Sequence, residues 1–337
     1  MTAASPQPRV LVIEYTQTGA TADLAEAFAA PLVSRGISVD RERIQARAEY
    51  PFPWKRIGRF FDVMPDCILG HAPEIETPDF DPQTEYDLIA IFYQVWFLAP
   101  SLPIQGFLKH PAAAVLRGRR VMTVVVSRNM WTVASEKLKR QLGELGARHR
   151  DNVSVTHQGP IWATFVTIPR LLLFGKRDRL WSIFPPPGLD STQLDRLTTY
   201  GRIAADKLTD SQTESDGPWL AGQHATHVEQ RYVLPEIFGE RVFRFWATVL
   251  IGLEKRVGRW ARQLGIYCFV FSLVCLILLG IPILLIARVI LFPIVQPWLK
   301  RRVALLQEPS DCAWKQDEHH SRTDQGQLLA GSPPSSL

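Results

Sequence analysis

Thr16-Gln17-Thr18-Gly19-Ala20-Thr21 lies between a short β-branched run, Arg9–Tyr15, and a stretch from Ala22 to Ser34 whose apolar residues recur at helical spacing. A loop between a strand and a helix places backbone N–H groups that lack intrahelical acceptors at the positive end of the helix dipole. Such a turn attracts an anion. The hydroxyls of Thr16, Thr18 and Thr21 add donors for phosphate oxygens without a basic side chain. This chemistry suits the terminal phosphate of a mononucleotide, although the same residues would also serve as a plain helix cap. No G-x-x-x-x-G-K-S/T run is present, which excludes an ATP P-loop by pattern, and no G-x-G-x-x-G run, which weakens a dinucleotide site.

Two further segments carry aromatic and hydrogen-bonding residues together. Gln94-Val95-Trp96-Phe97 follows one apolar run, and Ser127-Arg128-Asn129-Met130-Trp131 follows another. At the carboxyl ends of parallel strands, such loops line the binding crevice of an open sheet. Trp96, Phe97 and Trp131 are then expected around a planar ring, with Gln94, Ser127 and Asn129 at its polar edge. Arg128 is a candidate for stabilising negative charge on a reduced ring or an oxyanion, or equally a surface ion-pair partner. No acid–base pair or nucleophile stands out, so no catalytic residue is assigned. The four cysteines (Cys67, Cys268, Cys275, Cys312) form no C-x-x-C pair, and His224/His227 and His319/His320 lack further ligands. Neither a disulfide framework nor a metal site is indicated.

These loops need a scaffold of alternating strands and helices. Arg9–Tyr15, Ile37–Ile44, Asp87–Tyr93, Arg120–Val126 and Asn152–His157 read as buried strands. Helical periodicity appears over Ala22–Ser34, within Pro103–Leu116, over Trp131–Leu145 and over Ser191–Leu208. The alternation predicts a doubly wound α/β domain over 9–208 with a five-stranded parallel sheet. Two insertions interrupt it. One, at 50–80, is aromatic and basic; the other, at 160–189, is apolar and Pro-rich and reads as a long loop. Long loops in compact domains are often functional, and these could cover a ring, receive an apolar substrate or touch lipid.

Beyond a polar linker at 209–240, residues 241–263 mix aromatic, apolar and basic side chains, as a membrane-surface helix does. Leu264–Ala287 then runs about 24 positions without a charge. A helix of that length spans ~36 Å, enough for the ~30 Å hydrocarbon core. A membrane-associated helical segment is therefore expected over 264–299, as a single span or a re-entrant hairpin turning near Gly280 and Pro282. The tail at 308–337 is polar and reads as disordered. Net charge is +5, with basic clusters on both sides of the apolar run. That implies attraction to anionic lipid and leaves orientation undecided by the positive-inside rule. Nucleic-acid motifs are absent. Without an N-terminal apolar signal core, the expectation is a domain facing the cytoplasm at the cytoplasmic membrane.

Tyr15-Thr-Gln-Thr-Gly-Ala-Thr21 resembles the phosphate loop of flavodoxins, and Tyr93–Leu108 and Ser127–Trp131 resemble that family's two isoalloxazine loops. Thr198-Thr-Tyr-Gly-Arg-Ile-Ala-Ala205 is similar to the closing helix of the flavodoxin-like quinone reductases. The resemblance covers roughly Arg9 to Leu208 and implies FMN. It places Thr16, Gln17, Thr18, Gly19, Ala20 and Thr21 on the phosphate, and Gln94, Val95, Trp96, Phe97, Ser127, Arg128, Asn129, Met130 and Trp131 by the ring. Thr16 stands where the family often has Ser, and Ala20 where it often has Asn; the insertion after His157 leaves a third ring-side loop unassigned. Pro51-Phe-Pro-Trp54, Arg59-Phe-Phe-Asp62, Tyr93–Leu102 and Ser127–Trp131 further resemble bacterial flavodoxin-like proteins named dialkylresorcinol condensing enzymes, which are associated with aryl-lipid synthesis. Condensation chemistry normally needs an activated Cys with His partners. Cys67, within the domain, has no such setting in the sequence. The resemblance thus implies an FMN oxidoreductase taking hydride from NADH or NADPH and acting on a quinone or aromatic lipid-like intermediate. Two alternatives stand beside it: an FMN electron-transfer module for a membrane redox partner, and a flavin-free scaffold for other biosynthetic proteins.

Overall fold

The computed structural model describes residues 7–181, 183–210, 216–280 and 296–307. Five parallel strands form the sheet: β1 (Arg9–Glu14), β2 (Ser38–Arg43), β3 (Leu88–Trp96), β5 (Arg120–Ser127) and β6 (Arg148–Thr156). Their spatial order is β2-β1-β3-β5-β6. A two-residue strand, β4 (Ala99–Pro100), folds back antiparallel on the end of β3. With that hairpin set aside, the order is 2-1-3-4-5, the flavodoxin-like doubly wound arrangement, whose switch point lies between the first and third strands.

Each strand's alternate side chains enter different layers, as the two-residue period of a strand requires. Val10 and Val12 of β1 pack with Leu24, Phe28 and Leu32 of α1 (Ala20–Ser34) and with Leu197 and Tyr200 of α7 (Ser191–Thr209). Leu11 and Ile13 face the opposite layer, with Ile104 and Phe107 of α4 (Leu102–Lys109) and Leu138 and Leu142 of α5 (Thr132–Glu144). A short 3-10 helix, Pro111–Leu116, ends the α4 region. Gly201 of α7 lies so close to α1 that a Cβ there would sit 2.2 Å from the Phe28 carbonyl oxygen.

The insertions are more ordered than their composition suggests. The first holds two short helices, α2 (Ile57–Asp62) and α3 (Met64–Leu69). The second, expected as an irregular loop over 160–189, contains α6 (Ile161–Phe174). Pro160 ends an extended approach just before that helix, where a missing N–H costs nothing, and Gly175 closes it in the left-handed conformation.

The expected linker at 209–240 is also corrected. Leu220, Ala225 and Val228 are buried in the domain, and the Ser154 amide donates to the Ala225 carbonyl at 2.9 Å, covering edge strand β6. Asp151 holds this segment by accepting from the Leu220 amide at 2.8 Å and pairing with Arg120 at 3.3 Å. Helix α8 (Gln230–Val257) starts well before residue 241 and breaks at Gly258 into α9 (Arg259–Cys275), which a π-helical turn, Leu276–Gly280, continues. Gly265 brings α9 against Leu250 and Leu253 of α8. Residues 281–295, the second half of the expected membrane segment, and the expected disordered tail 308–337 lie outside the described residues.

A buried carboxylate fastens α8 to the sheet domain. Glu236, 1% exposed, accepts from the Thr132 hydroxyl at 2.7 Å and from the Val133 amide at 2.9 Å. It thereby caps the first turn of α5 from another helix. Burial pushes its carboxyl up from about 4.5 to about 7. A raised carboxyl contributes stability that is complete below the unfolded value and is lost as pH rises through the folded one. Thermal stability of the full chain in detergent is therefore expected to fall between about pH 5 and pH 8, and Glu236→Gln should flatten that slope. An unchanged slope in the variant would remove Glu236 as its source. Gly201→Ala should cost ~1–3 kcal/mol by overpacking α7 on α1. Gly143→Ala, on α5 with nothing within 4 Å of its Cβ, should instead stabilise by ~0.5–1 kcal/mol; the two melting temperatures check the contrast.

Candidate functional site

β1 delivers the chain to the switch point, and there the turn into α1 is built by two local bonds. The Gly19 amide donates to Thr16 Oγ1 at 3.0 Å, and the Asp23 amide donates to the Gly19 carbonyl at 3.1 Å, opening the helix. Gly19 occupies φ +94°, where a side chain would be strained although the space beside it is open. The first-turn amides of α1 have no intrahelical acceptors. The Thr21 hydroxyl is buried and finds no partner among the described residues.

Both insertions reach this turn. Gln17 Nε2 donates to the carbonyls of Tyr50 and Pro51 at 3.3 and 3.4 Å. The Arg177 guanidinium, from the loop after α6, donates to the Thr18 carbonyl at 2.7 Å. The insertions also join each other: the Trp54 and Lys55 amides donate to the carbonyls of Leu172 and Leu173 at 2.8 and 2.9 Å. The loop leaving β1 is thus walled by chain from 50–55 and 172–177.

Trp96 stands at the centre of an aromatic cluster beside this turn. Its ring meets Tyr50 at 5.3 Å and Tyr15 at 5.7 Å edge-on, and Trp54 at 6.5 Å, geometries that aromatic quadrupoles favour. Its indole N–H donates to Gln94 Oε1 at 3.4 Å. Trp54 is buried with its indole N–H unmatched among the described residues. Burial raises the phenols of Tyr15 and Tyr50 far beyond neutral pH, so both stay protonated.

Phe97 takes the other direction. Phe97 and Leu98 sit at φ +49° and +61°, forming the tight reversal in which Val95 pairs with Pro100 and Trp96 with Ala99. The Phe97 ring packs on Phe60 at 5.1 Å, Phe61 at 5.8 Å and Phe243 at 6.4 Å. It joins the layer of α2, α8 and α9, which Trp96 and Tyr50 also border.

The loop after β5 divides in the same way. Arg128, Asn129 and Met130 are partly exposed, whereas Trp131 is 1% exposed within the core and donates to the His227 carbonyl at 3.4 Å. A loop-start aromatic read as a ring contact is here a core side chain that fixes α5. The Ser127 hydroxyl is buried without a partner among the described residues, and its carbonyl accepts from the His157 amide at 3.0 Å. Burial pulls the Arg128 guanidinium down to about 10, so it remains cationic at neutral pH.

Beside Asn129 opens a crevice of about 350 Å³ at the carboxyl ends of β5 and β6, lined also by Thr156, His157, Asp190, Glu229 and Tyr232. Burial pushes His157 down to about 4, leaving a neutral imidazole whose Nδ1 has no partner among the described residues. His157 was missed in the sequence because its apolar approach reads only as the end of a strand. Arg177 and Trp54 were missed because their insertions gave no signal of where they would fold. Cys67 is buried, its sulfur 3.2 Å from the Trp96 carbonyl and 3.4 Å from that of Pro100. Burial raises its thiol to about 12, the reverse of an activated nucleophile.

No protein-family model matches the chain, and no curated protein does. Among solved structures, an archaeal flavodoxin is 14% identical and flavodoxin 1 from Bacillus cereus 12% identical; each match covers 60% of this chain and 99% of the other, at a TM-score of 0.34. A protein described as a flavoprotein from Bacteroides eggerthii is 21% identical over 46% of this chain and 92% of its own, at a TM-score of 0.36. Scores of this size reflect a partial backbone likeness, and the fold rests on the strand order itself. The chain is an α/β protein of the flavodoxin-like doubly wound type, with two helical insertions and a long helical extension packed on its sheet domain.

Proposed function

We propose that this chain is an FMN-dependent oxidoreductase held at the cytoplasmic face of a membrane, taking electrons from NADH or NADPH and reducing a quinone or an aromatic, lipid-like intermediate of dialkylresorcinol type. The observation that carries this reading is the turn at the switch point. It combines a helix N-terminus, a glycine at positive φ with open space beside it, and a buried Thr21 hydroxyl without a partner among the described residues. A buried hydroxyl of this kind costs stability unless something accepts from it or donates to it. An FMN phosphate supplies the acceptor, so the residues present fit the group.

In this reading the first-turn amides of α1 and the hydroxyls of Thr18 and Thr21 hold the phosphate, and Arg177 adds a cation. The Trp96, Tyr50 and Trp54 rings exclude water from one side of the crevice. Bound flavin supplies two-electron redox chemistry between hydride donor and acceptor. Arg128 keeps a positive charge in the loop beside the ring region, where it lowers the cost of negative charge. The neutral His157 imidazole offers a hydrogen-bonding nitrogen in the adjoining crevice, which is open to a small polar group of a reactant. Cys67 takes no part: with its thiol raised to about 12, carbon–carbon condensation through a cysteine nucleophile is not supported.

The purified full chain is expected to show a flavin absorption spectrum and to oxidise NADH or NADPH when a quinone is added. Thr18→Asp should abolish FMN retention by placing a carboxylate against the phosphate. Thr21→Val should weaken FMN by about 10–100-fold, the loss of one charge-assisted hydrogen bond, while leaving the flavin-free protein as stable as before or more so. Flavin content unchanged in both variants would show that the turn does not hold the cofactor. A flavin-free chain that takes up no added FMN would leave the scaffold reading, and flavin without turnover the electron-transfer module.

A further inference from the structure

The loop after α6 exposes apolar side chains that serve no purpose inside the fold. Phe174, Trp181 and Ile183 are 62%, 76% and 68% exposed, whereas aromatic and branched residues of this size are normally buried. Among them stand Lys176, Arg177 and Arg179, all exposed. The single acid of the segment, Asp178, is held by Arg170, whose guanidinium donates to its carboxylate at 2.8 and 3.0 Å and to its carbonyl at 2.9 Å. The fork fixes the loop's shape and cancels its negative charge. What remains is an aromatic tip flanked by cations, the pattern of a segment that seats in the headgroup layer of an anionic bilayer.

The loop is also joined to the apolar helix by contiguous structure. Leu172 and Leu173, at the end of α6, accept from the Trp54 and Lys55 amides. Two residues on, α2 begins and packs on α9: Phe61 meets Phe269 at 5.6 Å, and a Cβ at Gly58 would lie 3.1 Å from the Tyr267 hydroxyl. Helix α9 and its continuation, Arg259–Leu279, are long and apolar enough to cross a membrane. We infer that the loop after α6, through Phe174, Trp181 and Ile183 and the cations Lys176, Arg177 and Arg179, is a second lipid contact that docks on anionic headgroups beside the apolar helix. This rests on the reading of a membrane-held domain. Because Arg177 lies in the same loop and bonds to the Thr18 carbonyl, docking would also steady the wall of the turn that follows β1.

The basic residues of the loop are trypsin sites, which gives a direct test. The full chain is reconstituted into phosphatidylcholine vesicles with or without phosphatidylglycerol, floated, and digested briefly. Cleavage after Lys176, Arg177 and Arg179 is followed by mass spectrometry, with the detergent-solubilised chain as reference. Cleavage is expected to slow about tenfold in anionic vesicles only, and to return to the detergent rate in Trp181→Ser/Ile183→Ser, a surface variant that still floats. Equal cleavage in detergent and in both vesicle types overturns the proposal, as does protection that ignores both phosphatidylglycerol and the variant. A chain that fails to float removes the membrane tether on which the proposal depends and overturns it by that route, leaving the FMN reading untouched.

Discussion

Keeping polar groups dry without partners is expensive, and the turn leaving β1 does so at the point where the sheet's strand order reverses. The Thr21 hydroxyl is buried without a partner among the described residues, the Gly19 amide donates to Thr16, and the first turn of α1 directs the positive end of its dipole into the same place. Chain from both insertions closes around it. Gln17 is tied to Tyr50 and Pro51, Arg177 to Thr18, and Trp54 to the end of α6. None of these contacts satisfies Thr21. The turn thus holds a buried hydroxyl without a partner among the described residues, beside chain from both insertions.

The same constraint explains how the β3 end is shaped. Trp96 must face the turn while the next residue joins the helical layer of α2, α8 and α9. Two consecutive residues at positive φ achieve this, Phe97 and Leu98. Left-handed conformations cost ~1–2 kcal/mol for each residue with a side chain. Packing of Phe97 on Phe60, Phe61 and Phe243 offsets that strain. Cys67 stitches the reversal from below, its sulfur against the carbonyls of Trp96 and Pro100. The helical extension and the ring-side loop therefore share one aromatic layer, and a shift of α8 would be felt at Trp96.

Sequence patterns revealed the sheet because each central strand is a buried β-branched run, and β1 alternates its two apolar sets between layers without exception. They revealed α7 by its helical period, but not that Gly201 makes the close approach to α1. Where the pattern fell silent, tertiary contacts decide. Pro160, Pro169 and the proline-rich stretch that follows make 160–189 look like loop, yet α6 forms because its C-terminal end is bonded to 54–55. Gln230 begins α8 although its surroundings are polar, because Val233 and Glu236 are buried against the sheet domain. Loop-start aromatics carry no period, so nothing local separates Trp96, which faces the turn, from Trp131, which is core. The reach of Arg177 across more than 150 residues to Thr18 is a property of the fold alone.

Length and hydropathy allow the helix Arg259–Leu279 to cross a membrane, but the ion pairs of Arg262 tie one face of its start to the domain. Arg262 is 8% exposed and lies 2.8 Å from Asp62 and 3.6 Å from Asp66, with Glu254 as a third carboxylate partner. A guanidinium so surrounded belongs to protein and not to hydrocarbon, where breaking up such a cluster would strand charges. Ile266 and Phe269, a turn and two turns on, are buried against α3 and α8. The opposite face carries an exposed apolar stripe from Trp260 through Leu264, Tyr267, Phe271 and Val274 to Leu278 and Leu279. One face of the first half of α9 is therefore a buttress between α2, α3 and α8. A membrane gripping the exposed stripe would hold the α2–α3 insertion, which packs on the other face of the same helix, close to the headgroups.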